Sequence, residues 1–171
     1  MVVVFYNSGQ LGNRLFYFSH FIALSQIKNQ RVLALFFDEY SRFFEGTHDN
    51  VVGFFPKLNV RIKSSFVQKS MRYVLWKLFV LAKKYKWNNR FISVYKPPHD
   101  GKMETINYSV QNLVNDPSLK AAWFTFYDGG YPWYDHTCYP NFEQAIKPFF
   151  KPLPEFYEST QQYLCEQRQM G

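Results

Sequence analysis

The stretch that decides the fold is residues 2–38, VVVFYNSGQLGNRLFYFSHFIALSQIKNQRVLALFFD. Residues 2–6 form a short apolar run that predicts a buried strand, since parallel strands are covered on both faces. Residues 13 to about 27 predict a helix, because apolar residues recur here at helical spacing: Leu11, Leu15, Phe18 and Ile22. Residues 31–37 predict a second buried strand, which ends at Asp38. Strand, helix and strand in this order predict an α/β fold with a parallel sheet.

The composition is that of a single globular domain. The chain has 171 residues, of which 47% are hydrophobic and 21% aromatic, enough to build a core. Its apolar runs are too short for a transmembrane helix, and residues 2–5 lack the flanks of a signal peptide. The two cysteines, Cys138 and Cys165, have no metal-ligand spacing and fit a reducing compartment. We therefore expect a cytoplasmic protein without a metal site.

The positive charge of the chain is concentrated in its middle. The net charge is +7, and no Asp or Glu occurs between Asp49 and Asp100. Eleven basic residues lie in that interval: Lys57, Arg61, Lys63, Lys69, Arg72, Lys77, Lys83, Lys84, Lys86, Arg90 and Lys96. A segment with one sign of charge predicts an anionic partner, which could be a phosphate-rich ligand, a membrane surface or nucleic acid.

The remaining chain predicts alternating elements. Residues 54–56, Phe-Phe-Pro, favour a turn, and residues 58–62 favour a short strand. Residues 67–85 predict a long helix, and residues 121–127 predict another buried strand that ends before Asp128. Residues 142–149 and 155–169 predict two helices separated by a break at Pro152 and Pro154.

Glycines and amides occupy the junction between the first strand and the first helix. Gly9 and Gly12 would let a ligand approach the backbone, while Asn13 and Arg14 offer donors to an anion at the helix N-terminus. The same residues also suit a tight turn in which Asn13 is the N-cap. The spacing from Gly9 to Gly12 is G-x-x-G and differs from the dinucleotide and P-loop fingerprints. NAD enzymes and P-loop kinases are therefore disfavoured.

Residues 9–16, GQLGNRLF, resemble the opening loop of the alpha-1,2-fucosyltransferases, which typically reads GGLGNQMF. The O-fucosyltransferases have a similar G-x-x-G-N loop after their first strand. A second stretch supports the resemblance: residues 123–133, WFTFYDGGYPW, followed by residues 141–150, NFEQAIKPFF. Among the departures from the family's usual sequence, Gln10 replaces Gly, Arg14 replaces Gln and, just beyond the loop, Tyr17 replaces Gln.

The resemblance implies a Rossmann-like parallel sheet flanked by helices, as in the N-terminal half of a GT-B glycosyltransferase. Residues 1–150 would be the acceptor-side domain and residues 151–171 an inter-domain helix. The family's donor-binding string, His-x-Arg-Arg-Gly-Asp-Tyr, does not occur in this sequence, so we expect the donor-binding domain to be absent and the catalyst to be incomplete. The implied donor is GDP-fucose, without a metal, and the residues implied to bind its phosphates are Gly9, Gln10, Gly12, Asn13 and Arg14.

Fucosyl transfer needs a base for the acceptor hydroxyl, and this chain offers several candidates. Asp38, Glu39 and Asp128 follow predicted strands, where ligands bind in α/β sheets, and His20 lies on the first helix. Each has an ordinary structural alternative: Asp38 suits a cap, Asp128 suits a turn before Gly129, and His20 suits the core or the surface.

The aromatic loop after the last predicted strand suits an acceptor sugar. Flat rings with polar tips can stack on a pyranose, and this loop offers Tyr131, Trp133, Tyr134, His136 and Tyr139. Core packing is the alternative for these residues, particularly for Trp133.

The predicted helix at 67–85 has one apolar face and one face that carries both basic and apolar residues. A helical wheel gathers one apolar face, which we expect to point inward: Val67, Met71, Val74, Leu78, Leu81 and Tyr85. The other face combines bases with Tyr73, Trp76 and Val80, and would suit an anionic membrane surface. The residues expected to face that membrane are Lys69, Arg72, Tyr73, Trp76, Lys77 and Lys84. The alternative is a helix packed on both sides, with lysine stems covering apolar surface.

Three functions follow from these observations. The first is a cytoplasmic, fucosyltransferase-like transferase of glycan biosynthesis, which uses GDP-fucose and a glycan acceptor and would suit the inner face of the membrane. The second is a stand-alone α/β module for a nucleotide or phosphorylated ligand. The third is a basic peripheral membrane protein without chemistry. Nucleic acid is disfavoured, because no binding motif accompanies the charge.

Overall fold

The computed structural model has an α/β fold in which a mostly parallel five-stranded sheet is flanked by helices. It describes residues 1–5, 11–35, 37–48, 53–57, 64–97, 110–117, 119, 122–129 and 138–169. The strands are β1 (Val2–Val4), β2 (Val32–Ala34), β3 (Gly53–Phe55), β4 (Ile92–Tyr95) and β5 (Phe124–Tyr127). The helices are α1 (Leu11–Lys28), α2 (Asp38–Ser41), α3 (Ser65–Lys84), α4 (Val110–Asn115), α5 (Cys138–Phe149) and α6 (Pro154–Gln169).

The sheet has the strand order β3-β2-β1-β5-β4. Strand β1 is central and pairs in parallel with β2 on one side and β5 on the other, so that Val2 lies between Val32 and Thr125. Strand β4 continues the parallel arrangement beside β5, and β3 alone runs antiparallel at the β2 edge. The predicted α/β class and the parallel βαβ opening are therefore confirmed.

Each face of the sheet has its own core. Helices α1, α4 and α5 share a core with Val2 and Val4, while α3 shares a core with Val3. The strand pleat explains this division, because successive side chains point to opposite faces. Aromatic rings fill both cores. Phe21 of α1 meets Tyr127 at a centroid distance of 5.1 Å.

Helix α1 follows the predicted stripe but starts earlier than expected. Phe18 and Ile22 are buried, and Leu11 and Leu15 pack against the same core. The helix begins at Leu11, two residues before the predicted start, so Asn13 lies inside its first turn. The interpretation of Asn13 as an N-cap is therefore wrong.

The turn predicted at residues 54–56 is wrong, since Gly53–Phe55 is a strand. Phe54 pairs with Leu33 of β2, and both face the α3 core. A Cβ on Gly53 would lie 2.5 Å from the Phe18 ring, so glycine permits this close approach. The short strand predicted at residues 58–62 falls outside the described residues.

Helix α3 is rotated relative to the prediction. Gln68, Leu75, Phe79 and Ala82 are buried, with Met71 and Leu78 packed beside them. Four residues that were expected to point inward are exposed instead: Val67, Val74, Leu81 and Tyr85. The reason is the aromatic contact of Phe79 with the sheet side of the core, where its ring centroid lies 4.7 Å from that of Phe5 and 5.8 Å from that of Phe126.

No helix in the described part of the chain combines the length and apolar character that a membrane span requires.

The segment around Gly46 binds the stretch that joins α5 to α6. The backbone N–H of Gly46 donates to the carbonyl oxygen of Phe149 at 2.9 Å, and Glu45 pairs with Lys151 at 2.8 Å. Leu153 donates to the carbonyl oxygen of Phe43 at 2.9 Å, just before α6 begins. Helix α5 is kinked at Phe142, the residue at which its helix was predicted to start.

We expect Gly46→Ala to lower the free energy of unfolding by about 1–3 kcal/mol. The new Cβ would overlap both the carbonyl oxygen and the ring of Phe149, so the hydrogen bond between these segments must shift. Gly12→Ala is the matched control, because a Cβ there meets nothing within 4 Å. Urea denaturation measures both variants, and equal stability of Gly46→Ala and the wild type would contradict the described packing.

Candidate functional site

The carboxyl ends of the parallel strands form one edge of the sheet, where α/β proteins bind ligands. Helix α1 begins at this edge after β1, and α2 begins there at Asp38 after β2. Asp128 follows β5 directly, and its backbone N–H donates to Tyr95 at the end of β4 with a distance of 2.8 Å. The topology therefore gathers residues from separate predicted motifs at one edge.

The first turn of α1 presents Gly12 and Asn13 to solvent. The first backbone N–H groups of a helix have no acceptor within the helix, and the helix dipole adds a partial positive charge there. The open space over Gly12 leaves its backbone approachable by a ligand. Gly9 and Gln10, the other residues predicted to bind phosphate, lie outside the described residues.

Arg14 is held against helix α2. Its guanidinium carbon lies 5.0 Å from the centre of the Tyr40 ring, a cation–π contact that links α1 to α2. A cavity of about 10 Å³ lies between Arg14 and the core residues Phe18 and Phe37, which is room for one water at most. A nucleotide at this edge would therefore bind on the exposed turn of α1 rather than beneath Arg14.

Asp128 is paired with a residue that sequence reasoning did not connect to it. The Nζ atom of Lys83, from α3, lies 2.8 Å from one carboxylate oxygen of Asp128 and 3.0 Å from the other. The Asp128 side chain is 20% exposed and that of Lys83 is 58% exposed. This ion pair ties α3, on one face of the sheet, to the carboxyl edge. A general base at Asp128 would accept the proton of an acceptor hydroxyl beside this ammonium group, because a carboxylate can accept several hydrogen bonds.

The other base candidates differ in position. Asp38 and Glu39 are the first two residues of α2 and so belong to the carboxyl edge. His20 is fully buried in α1, where its Nδ1 atom lies 2.7 Å from the carbonyl oxygen of Phe16. The alternative that His20 is a core histidine is favoured by this burial. The catalytic roles of all four carboxylate and imidazole groups stay predictions.

The predicted acceptor residues Tyr131, Trp133, Tyr134 and His136 lie outside the described residues, so their role also stays a prediction.

A groove of about 650 Å³ was not predicted, and it lies between α1 and α5. Its lining is mostly apolar and includes Leu15, Phe16 and Ile146. The sequence shows Phe16 and Phe150 only as apolar residues. Because they line the groove from separate parts of the chain, no local pattern could have predicted it.

In the residues that the structure describes, no three His, Cys, Asp or Glu side chains group to hold a metal ion.

Removing the Lys83–Asp128 pair should cost little stability, because partly exposed ion pairs contribute up to about 1 kcal/mol. We expect a double-mutant cycle of Lys83→Met and Asp128→Asn to give a coupling energy in this range. The matched control is the pair Glu143–Lys147, which lies one helical turn apart on α5 at 3.0 Å. A coupling above about 2 kcal/mol, measured by urea denaturation, would show that Asp128 is a buried structural residue instead.

Comparison of the chain with protein-family models, with curated proteins and with solved structures gives no match in any of the three. The function of the site is therefore inferred from its geometry and from the resemblance of residues 9–16.

Proposed function

We propose that this chain is an α/β domain of a fucosyltransferase-like glycosyltransferase that binds GDP-fucose at the exposed first turn of α1. In this proposal the domain is the Rossmann-like, acceptor-side half of a GT-B enzyme. The observation that carries the proposal is the placement of Gly12 and Asn13, exposed at the carboxyl edge with open space over Gly12. These two residues belong to the stretch that resembles the fucosyltransferase loop.

The charge of the donor suits this position. A diphosphate is anionic, and a helix N-terminus offers backbone N–H donors together with a partial charge of about +0.5. The Asn13 side chain adds an amide that can donate to a phosphate or ribose oxygen. Arg14 adds a guanidinium, and its contact with Tyr40 of α2 fixes its position.

The reaction would transfer the fucosyl group to a glycan hydroxyl. The acceptor oxygen forms a bond to the anomeric carbon, the bond to GDP breaks, and a base receives the hydroxyl proton. Asp128 and Asp38 belong to the edge where the donor would lie, which supports a carboxylate base from this edge. The departing diphosphate also needs positive charge, and the family's His-x-Arg-Arg-Gly-Asp-Tyr string does not occur in these 171 residues.

A nucleotide-binding module without chemistry is the second candidate. The same turn of α1 would bind its phosphate, and the exposed backbone at Gly12 favours it equally, since a helix N-terminus offers N–H donors to any anionic nucleotide. The two candidates differ in ligand selectivity, because a transferase domain should prefer GDP-fucose to other nucleotides.

GDP-fucose should raise the melting temperature of the purified chain, and a ligand at about 100 times its Kd adds about 2.7 kcal/mol of stability. We expect Asn13→Ala and Gly12→Ala to weaken binding at least about tenfold, by loss of a hydrogen bond and by steric obstruction respectively. Gln26→Ala is the control, since Gln26 is exposed at the far end of the same helix. A thermal-shift titration measures the effect.

Equal stabilisation by all nucleoside diphosphates would favour the second candidate. No stabilisation by any nucleotide, or undiminished binding by both variants, would contradict a site at this turn. Gly12→Ala is informative because its stability in the absence of ligand should match or exceed that of the wild type.

We expect no measurable transfer of fucose by these 171 residues alone, because the positive charge that the resembled enzymes direct at the diphosphate is missing from the sequence. A radiolabelled donor assay with a mixture of glycan acceptors tests this. Steady turnover that depends on Asp128 would contradict the expectation and would identify a base.

A further inference from the structure

The outward side of α3 is unusually apolar for a solvent-exposed helix. We define the α3 outer face as the exposed large side chains Phe66, Val67, Tyr73, Val74, Trp76, Val80, Leu81 and Tyr85 together with Lys69, Lys77 and Lys84. Phe66 is 76% exposed and Val74 is 60% exposed. Contiguous apolar side chains of this size on a surface indicate an interaction site.

The charge on this helix has one sign. Residues 65–84 contain five basic residues and no acidic residue, and the acid-free interval extends from residue 50 to residue 99. Lys83 is engaged by Asp128, whereas the basic side chains of the outer face accompany its aromatic rings. The Nζ atom of Lys77 lies 5.3 Å from the centre of the Tyr73 ring, and the Nζ atom of Lys84 lies 5.5 Å from the centre of the Tyr85 ring.

Lysines lie beside two of the apolar residues of this face. Val74 is followed three residues later by Lys77, and Leu81 is followed three residues later by Lys84. Residues three apart are neighbours on a helix surface, so a lysine adjoins Val74 and another adjoins Leu81. We call the exposed side chains Val67, Val74 and Leu81 the apolar stripe. Since α3 has 20 residues, its outer face extends over about 30 Å.

A groove beside the helix enlarges the apolar area. It has a volume of about 560 Å³ and is lined by residues of α3 and of the sheet, including Val67, Val74, Met1, Phe54 and Phe124. The stripe and the groove share Val67 and Val74, so they form one continuous apolar surface.

We propose that the α3 outer face binds the surface of a lipid bilayer that contains anionic headgroups. In this arrangement the stripe and the groove meet the acyl region, the aromatic rings lie at the interface, and Lys69, Lys77 and Lys84 reach the headgroup phosphates. The proposal is independent of the proposed function at α1, because the two surfaces share no residue.

Charge and chemistry together favour a membrane over other partners. A second copy of this face would place lysines against lysines, which is unfavourable without intervening anions. An acidic protein surface would leave the apolar stripe unmatched, and a purely apolar surface would bury Lys77 and Lys84. A bilayer matches both, because its anionic and apolar layers lie at different depths.

Vesicle co-sedimentation tests the proposal with the full chain. The probe is phosphatidylcholine vesicles with about 30% phosphatidylserine, compared with pure phosphatidylcholine, at about 0.1 M salt. We expect binding to the anionic vesicles to be at least about tenfold tighter. Lys77→Glu/Lys84→Glu should abolish this difference, and Val74→Ser/Leu81→Ser should weaken binding to anionic vesicles at least about tenfold.

The charge-matched control is Lys28→Glu/Arg31→Glu, whose residues are exposed at the C-terminal end of α1 and just before β2, and this variant should keep its binding within about twofold of the wild type. Trp76 gives a second readout, since its emission should shift to shorter wavelength on anionic vesicles and Trp76→Phe should remove that shift. Circular dichroism confirms that each variant is folded. Gly12→Ala should bind vesicles normally, and Lys77→Glu/Lys84→Glu should still respond to GDP-fucose if the chain does.

Three results would overturn the proposal. They are absence of vesicle binding by the wild type, equal binding to neutral and anionic vesicles, and an equal loss in the control pair. Self-association of the purified chain that Val74→Ser/Leu81→Ser abolishes, without vesicle binding, would assign the face to a second copy instead.

Discussion

The structure depends on the burial of β1 between two parallel neighbours. Val2, Val3 and Val4 are at most 2% exposed, and their backbone groups pair with β2 on one side and β5 on the other. A strand buried on both faces needs apolar residues throughout, which is why three consecutive valines stand at the start of the chain. The strand also fixes where α1 begins, and with it the candidate site.

Aromatic packing determines how the helices attach to this strand. On one face, Phe18 lies 5.5 Å from Phe149, which joins α1 to the end of α5. On the other face, Phe79 stacks on Phe5 and determines which side of α3 is buried. The same contact leaves Val74 and Leu81 outside. The exposed apolar side of α3 is thus a consequence of how the rings pack on this face of the sheet.

Local signals predicted the elements whose sequence pattern and environment agree. Strands β1, β2 and β5 and helix α1 were all expected near their observed positions, because each carries a complete apolar pattern. Strand β3 was missed, since Phe54 and Phe55 beside a proline resemble a turn and only pairing with β2 makes them a strand. The orientation of α3 was missed for a related reason, because Val74 and Phe79 are equally apolar and only the sheet distinguishes them.

In the candidate site, too, local sequence patterns predicted some features and long-range contacts determine others. The position of Gly12, Asn13 and Asp38 at the carboxyl edge follows from the βαβ order and was predicted. The ammonium partner of Asp128 was not, since Lys83 is 45 residues away in sequence and belongs to a helix on one face of the sheet. Likewise, no local pattern associates Arg14 with Tyr40.

The contact between Lys83 and Asp128 also means that α3 and the carboxyl edge of the sheet are thermodynamically coupled. Any event that displaces α3 would alter the surroundings of the Asp128 carboxylate at that edge, and reciprocity requires the reverse effect to be equal in size. A pair this accessible to water transmits less than about 1 kcal/mol, or roughly a fivefold change in affinity. The domain can therefore adjust one surface in response to the other gradually, but this pair alone could not act as an on–off control.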